Sequence, residues 1–211
     1  MTRAVIFDCD GVLVDTEHIA NRVLAGLLTE AGIETTFDDC MREYRGRAMS
    51  SVLASATERL GAPLPFDLGA RYYTEVKEIF ARELEPVPGV IAALDRISLP
   101  SCVASSGPHH KMEVTLRRTG LWDRFEGAIF SASEVGAGKP APDLFLHAAR
   151  EMGFDPATTA VVEDSLYGVQ AAVAAGMRAL AFARHTDPEV LAAAGGEPFL
   201  DMSELPGLLA A

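Results

Sequence analysis

Positive charge is scarce in this 211-residue chain, where 18 lysines and arginines face 30 aspartates and glutamates for a net charge of −12. Such a surface disfavours nonspecific binding to nucleic acid or to an anionic membrane. It also repels an anionic substrate, so a site for one must supply its own local positive charge. Cysteine is scarce as well: Cys9, Cys40 and Cys102 make an odd number without CxxC spacing. That excludes the usual patterns of a disulfide framework or a zinc site, and Cys9 reads as a buried structural thiol. Long hydrophobic runs are missing. The most apolar stretch, VQAAVAAGMRALAFA, is broken by Gly176 and Arg178 and is too rich in alanine to span a bilayer. The opening MTRAVIFD is too short for a secretory signal. The expected location is the cytoplasm, with no membrane and no nucleic-acid partner.

What the chain does have is a composition suited to a packed core, with 49% apolar and 23% charged residues. Residues 4–8 read as a short buried strand. A helix over 17–31 follows, with Ile19, Val23, Leu24, Leu27, Leu28 and Ala31 at helical spacing and Gly32 as a stop. Residues 38–84 give only helical signals, the clearest being Leu68, Tyr72, Val76, Ile79, Phe80 and Leu84 along one face. The segment EPVPGV then changes the pattern. Helices at 89–97, 109–119, 142–152 and 166–175 alternate with strands at 101–104, 128–130, 160–162 and 179–182, and a final pair at 198–200 and 203–209 closes the series. Alternation of this kind predicts an α/β fold with a doubly wound parallel sheet. The expected division is a catalytic core of 1–14 and 86–211, with an α-helical cap at 15–85 inserted after the first strand.

Ligands of open parallel sheets bind beyond the C-terminal ends of the strands. Four such ends carry polar groups here: Asp8 and Asp10, Ser105, Lys139 on the loop after the third strand, and Glu163 with Asp164. Two turn caps one residue apart would be redundant at one strand end, so Asp8 and Asp10 read as facing a single pocket. A second acid pair at another strand end suggests a divalent metal, and oxygen donors with retained waters suit Mg²⁺. Lys139 in GAGKPAPD is not a Walker lysine, because GxxxxGK[ST] needs Gly at 133 and Ser or Thr at 140, where Ser133 and Pro140 stand. It is a lysine on a stiff loop, suited to a carboxylate or a phosphoryl oxygen. Ser105, the first polar residue after SCVA, and Ser106 beside it can offer a hydroxyl and backbone N–H groups to a phosphate.

DCDGVLVDT, then Ser105, Lys139 in GKPAPD and EDS at 163–165 together resemble the four motifs of the haloacid dehalogenase superfamily of phosphohydrolases. The insertion and spacing are similar to its β-phosphoglucomutase-like branch. The resemblance implies that Asp8 is a nucleophile forming an aspartyl-phosphate and Asp10 a general acid/base whose main-chain carbonyl binds Mg²⁺. It implies a carboxylate ligand in Asp164, and in Glu163 a ligand or an orienter of Lys139. Ser105 and Lys139 would hold the transferring phosphoryl oxygens. Metal and Lys139 would then supply the positive charge that the acidic surface lacks.

Rival activities are separable by residue. A phosphotransfer receiver has no use for the long insertion or for a second catalytic Asp, and a metal-free dehalogenase has none for Asp10 and Asp164. A phosphosugar mutase of this branch resembles the chain more closely but typically carries a His at the position of Ala20. His18 lies two residues earlier, about 200° around a helix. The expectation is therefore a phosphatase acting on a small phosphate monoester, with the cap closing over the site to exclude water. CVASSGPHHKMEVTL, FDCDG and the loop EYRGRAMSS look most like the 6-phosphogluconate phosphatase subgroup. Glu17, Arg45, Gly46, Arg47, Ser106 and Lys111 are the expected substrate-binding residues, two arginines suiting a sugar-acid phosphate. The expected state is a monomer or a weak homo-oligomer.

Overall fold

The computed structural model describes residues 1–44, 47 and 49–210. In chain order these form β1 (Ala4–Phe7), α1 (Thr16–Glu30), α2 (Phe37–Glu43), α3 (Met49–Leu60), α4 (Leu68–Glu83) and α5 (Val90–Leu94). Next come β2 (Ser101–Ser105), α6 (His109–Arg118), α7 (Trp122–Phe125), β3 (Ile129–Ser131) and α8 (Asp143–Met152). The chain ends with β4 (Thr159–Glu163), α9 (Leu166–Ala174), β5 (Arg178–Phe182), α10 (Pro188–Ala193), β6 (Glu197–Phe199) and α11 (Leu205–Ala210). Two compact units result: Met1–Asp15 with the chain from Glu85 onward, and Thr16–Leu84.

The first unit is an α/β fold built on one parallel sheet of order β3-β2-β1-β4-β5-β6. β1 lies at its centre and is buried on both faces, which is why AVIF is continuously apolar rather than alternating. Ile6 packs with Cys102, Leu144, Phe145, Val161 and Val169. Its neighbour Phe7 meets the ring of Phe125 at 6.0 Å, so successive residues of β1 serve different packing neighbourhoods. The strand order reverses between β1 and β4, and the crevice at such a switch is where sheets of this type hold ligands. Beyond β1 the backbone turns tightly, with Leu13 and Val14 N–H both donating to Cys9 O at 2.9 and 3.0 Å. The outgoing and returning chains are tied side by side by Asp15 N–H to Glu85 O and by Val87 N–H to Leu13 O, both 3.0 Å.

The second unit is entirely helical among its described residues. α1 buries Ile19, Val23, Leu24, Leu27 and Leu28, and α4 buries Leu68, Val76 and Phe80. Arg71 forks onto Glu30 at 2.6 and 3.0 Å, a bidentate geometry that fixes direction as well as contact. Thr36 and Asp39 form a reciprocal capping box at the start of α2.

Three expectations need correction. The helix over 89–97 stops at Leu94, because the backbone beyond it forms only short turns. Two helices were not foreseen: α7 is a single turn, WDRF, too short to show a period. α10 is PEVLAA, announced only by Asp187 as cap and Pro188 at its first position. Finally, 203–209 divides into a 3₁₀ turn at Met202–Glu204 followed by α11.

Candidate active site

Asp8 follows the last residue of β1, and its N–H still donates to Val162 O at 2.9 Å. The sheet register therefore sets Asp8 beside Glu163, the last residue of β4. Both are buried, at 6% and 1% exposure. Lys139 reaches between them, with Nζ 2.6 Å from Asp8 Oδ1 and 2.6 Å from Glu163 Oε1. The ammonium also lies over the Phe145 ring, 4.9 Å from its centroid. The other oxygen of Glu163 accepts from Ser165 N–H at 2.7 Å and from its hydroxyl at 2.8 Å, so both Glu163 oxygens are committed. A Cβ at Gly168 would collide with this carboxylate. The helix that follows β4 needs glycine in its first turn.

Burial pushes the Asp8 carboxyl up to about 7; Lys139 opposes this, while Glu163 and Asp10 add to it. For Lys139, burial alone would lower the pKa, but Asp8 and Glu163 together hold it above the usual lysine range. Removing Lys139 would strand the buried carboxylates on either side of it, a cost of about 3–5 kcal/mol for breaking a pair of this kind.

The turn after β1 carries the second cluster. Gly11 has φ +79°, and a Cβ there would run into the Asp164 carboxylate. Glycine thus lets that carboxylate settle over the backbone bonded to the Asp10 carbonyl. Asp10 Oδ2 accepts from Lys111 Nζ at 2.6 Å, whereas its Oδ1 is buried and accepts no hydrogen bond among the described residues. Burial by itself would lower the Lys111 pKa, and Asp10 more than reverses it. Ser105 ends β2 at 1% exposure, and its oxygen accepts from Gly107 N–H at 3.1 Å. Among the described residues no acceptor takes its own proton. Gly107 O in turn accepts from the Ser131 hydroxyl at 2.8 Å.

Asp8 and Glu163 thus share the Lys139 ammonium, Asp10 is paired with Lys111, and the Asp164 carboxylate lies over the Gly11 backbone. Among the described residues no three carboxylate, imidazole or thiolate side chains gather closely enough to hold an ion by themselves. A set of two carboxylates, Asp8 and Asp164, with the Asp10 carbonyl is a different matter. Its donors are all hard oxygens and Asp164 is seated against the Asp10–Gly11 backbone, so these residues fit Mg²⁺.

The structure brings Asp8, Asp10, Ser105, Lys111, Lys139, Glu163 and Asp164 together. Ser106 is exposed one residue beyond Ser105. Lys111, expected to bind substrate, donates to the Asp10 carboxylate at 2.6 Å. Glu17 lies in α1 and accepts from Asn21 Nδ2 at 3.1 Å. Arg47 is exposed, its N–H donating to Tyr44 O at 3.0 Å. Arg45 and Gly46 lie outside the described residues. Sequence reasoning missed Gly107 and Ser131. Ser131 was findable, since it closes β3 in register with Ser105, another polar residue at a strand end.

With a parallel sheet that ends in paired acids, a serine and a bridging lysine, the chain belongs to the haloacid dehalogenase-like hydrolase family, whose model matches residues 2–176. It is 31% identical over 206 residues to the 6-phosphogluconate phosphatase of Escherichia coli, covering 97% of this chain and 93% of that protein. A haloacid dehalogenase-like protein from Agrobacterium tumefaciens has a similar structure (TM-score 0.91, 36% identity, 100% of this chain and 98% of that one). So has a hydrolase of the same family from Deinococcus radiodurans with bound phosphate and sodium (TM-score 0.85, 29% identity, 99% and 95%).

Proposed function

We propose that the protein is a Mg²⁺-dependent phosphatase of small phosphosugars or sugar-acid phosphates, working in the cytoplasm through an aspartyl-phosphate on Asp8. The observation that carries this reading is the Asp8–Lys139–Glu163 bridge, buried at the mouth of the central strand with Asp10 and Ser105 beside it. Likeness to a 6-phosphogluconate phosphatase and to a hydrolase that binds phosphate supports it.

In this reading the Asp8 carboxylate attacks phosphorus, an O–P bond forming as the bond to the leaving alkoxide breaks. Asp10 gives that alkoxide its proton, then takes one from the water that hydrolyses the acyl phosphate. Lys139 and the Ser105 hydroxyl hold phosphoryl oxygens, and Glu163 keeps Lys139 in place. Asp8, Asp164 and the Asp10 carbonyl would hold Mg²⁺, which offsets the repulsion between an anionic nucleophile and an anionic ester. Asp8 and Asp10 are chemically alike, but their roles separate because only Asp8 is tied to Lys139. The helical unit, with Glu17, Arg45, Gly46 and Arg47, is assigned substrate selection.

Hydrolysis is favoured over mutation of a phosphosugar by Ala20, and by His18, whose ring packs on Phe37 at 5.0 Å. A phosphate-release screen over sugar, sugar-acid and nucleoside monophosphates tests the reading. Sugar and sugar-acid phosphates should be the preferred substrates, EDTA should abolish turnover, and Mg²⁺ should restore it. Full activity after exhaustive chelation defeats the metal assignment. Conversion of β-glucose 1-phosphate to glucose 6-phosphate without phosphate release defeats the hydrolase.

A further inference from the structure

We propose that Lys111 is a positioning residue for Asp10, clamping one carboxyl oxygen so that the other faces the leaving group and, later, the attacking water. The inference rests on the phosphatase reading above and goes one residue beyond it.

Lys111 sits in the first turn of α6 and reaches back to a residue 101 positions earlier, which it meets at 2.6 Å. An exposed ion pair would gain little from this, but here both side chains are largely covered, at 34% and 28% exposure. Gly107 lies beside this contact: a Cβ there would stand 3.3 Å from Lys111 Cδ, tighter than usual, and at an ordinary 3.9 Å from Asp10 Oδ2. The two oxygens of Asp10 are consequently unlike. Oδ2 is held by the ammonium, whereas Oδ1 is buried and accepts no hydrogen bond among the described residues. Leaving a buried carboxylate oxygen unmatched is costly unless something else is to meet it. A carboxyl pinned at Oδ2 and unmatched at a buried Oδ1 has one direction in which to exchange a proton once a partner meets that oxygen. Without the pin, rotation about the Cβ–Cγ bond would spread that proton over several directions.

The competing role for Lys111 is direct binding of an anionic group on the substrate. Leaving-group dependence separates the two. A p-nitrophenolate departs with little help from an acid, while an alkoxide needs its proton, and kcat/KM reports this first chemical step irrespective of later hydrolysis.

The experiment measures kcat/KM for wild type, Lys111→Met, Lys111→Arg and Asp10→Asn, with Mg²⁺ present, on a series from p-nitrophenyl phosphate to β-glycerol phosphate, together with 6-phosphogluconate as an ester bearing a second anionic group. Lys111→Met should lose about 10–100-fold on the alkyl ester and under about 3-fold on p-nitrophenyl phosphate. Lys111→Arg, which keeps a donor for Asp10, should recover most of the loss. Asp10→Asn should show the same bias more strongly. Circular dichroism checks the fold, and Lys111→Gln replaces the Met variant if that one misfolds. An equal loss across the series in the Lys111 variants, or a loss confined to esters bearing a second anionic group, overturns the inference while leaving the phosphatase reading intact. A flat profile in Asp10→Asn, or no phosphate release by wild type, overturns the phosphatase reading and this inference with it.

Discussion

Asp8 is the residue at which catalysis and stability pull in opposite directions. Its carboxyl is pushed from an ordinary value of 3.8 up to about 7, first by burial and then, against the pull of Lys139, by Glu163 and Asp10. A carboxyl whose folded pKa is raised binds protons more tightly in the folded state. Stability therefore falls as pH climbs from near 3.8 through about 7, and the full penalty is present above that range. Replacing Asp8 with Asn removes the charge but keeps an oxygen for Lys139. Asp8→Asn should abolish turnover, since an amide does not attack phosphorus. In metal-free buffer at pH 8 it should also raise stability by an amount on the order of 1 kcal/mol, with the gain vanishing near pH 3.5. Paired thermal melts in EDTA at the two pH values check this. Equal melting temperatures for the two proteins at pH 8 would show that Asp8 carries no such strain.

At the level of the element, the same substitution made in two helices should act with opposite sign. Gly26 lies on the exposed face of α1 with open space where a Cβ would go. Alanine there reduces the backbone entropy lost on folding, and Gly26→Ala should stabilise by about 0.5–1 kcal/mol. Gly168, in the first turn of α9, has the same helical propensity to gain. Its Cβ, however, would strike the Glu163 carboxylate, which is held by Lys139 on one side and Ser165 on the other. Displacing a buried, paired charge costs several kcal/mol, more than propensity returns. Gly168→Ala should therefore destabilise the protein and lower kcat as Lys139 loses its bracing. Urea unfolding of the two variants side by side reads the contrast, and a stabilised Gly168→Ala would mean that Glu163 has room to yield.

For the whole molecule the governing quantity is charge. A net charge of −12 repels phosphate esters, and the donors assigned to Mg²⁺ include two carboxylates, Asp8 and Asp164. Mg²⁺ bound to the folded state should therefore stabilise it. At 100 times its dissociation constant the gain is about 2.7 kcal/mol, which corresponds to roughly 5–10 °C in melting temperature for a chain of this size. Asp164→Asn should remove most of that shift, and an equal ionic strength of NaCl should not reproduce it. A melt insensitive to Mg²⁺ in the unaltered protein would count against the assigned donors without any appeal to activity. No described helix is long and apolar enough to cross a membrane.

Alternation of apolar runs and helical stripes was sufficient to predict the α/β class, because each buried strand and each helix face must repeat its apolar residues at its own period. Asp8, Asp10, Ser105, Lys139, Glu163 and Asp164 were legible for a related reason: polar residues that end apolar strands collect along one edge of a parallel sheet. Short elements such as WDRF and PEVLAA were not legible, since a single turn has no period to detect. Partner choice was hidden altogether. Lys111 could have met a substrate or a carboxylate, and only the approach of α6 to the turn after β1, past the bare backbone of Gly107, put Asp10 within 2.6 Å of it. Gly11 and Gly168 read in sequence as a turn and a weak helix start. In three dimensions each is the space that a carboxylate occupies, a requirement set by atoms more than 100 residues away for Gly11 and five residues away for Gly168. Periodicity is a property of the chain taken locally, whereas close approach belongs to the packed fold.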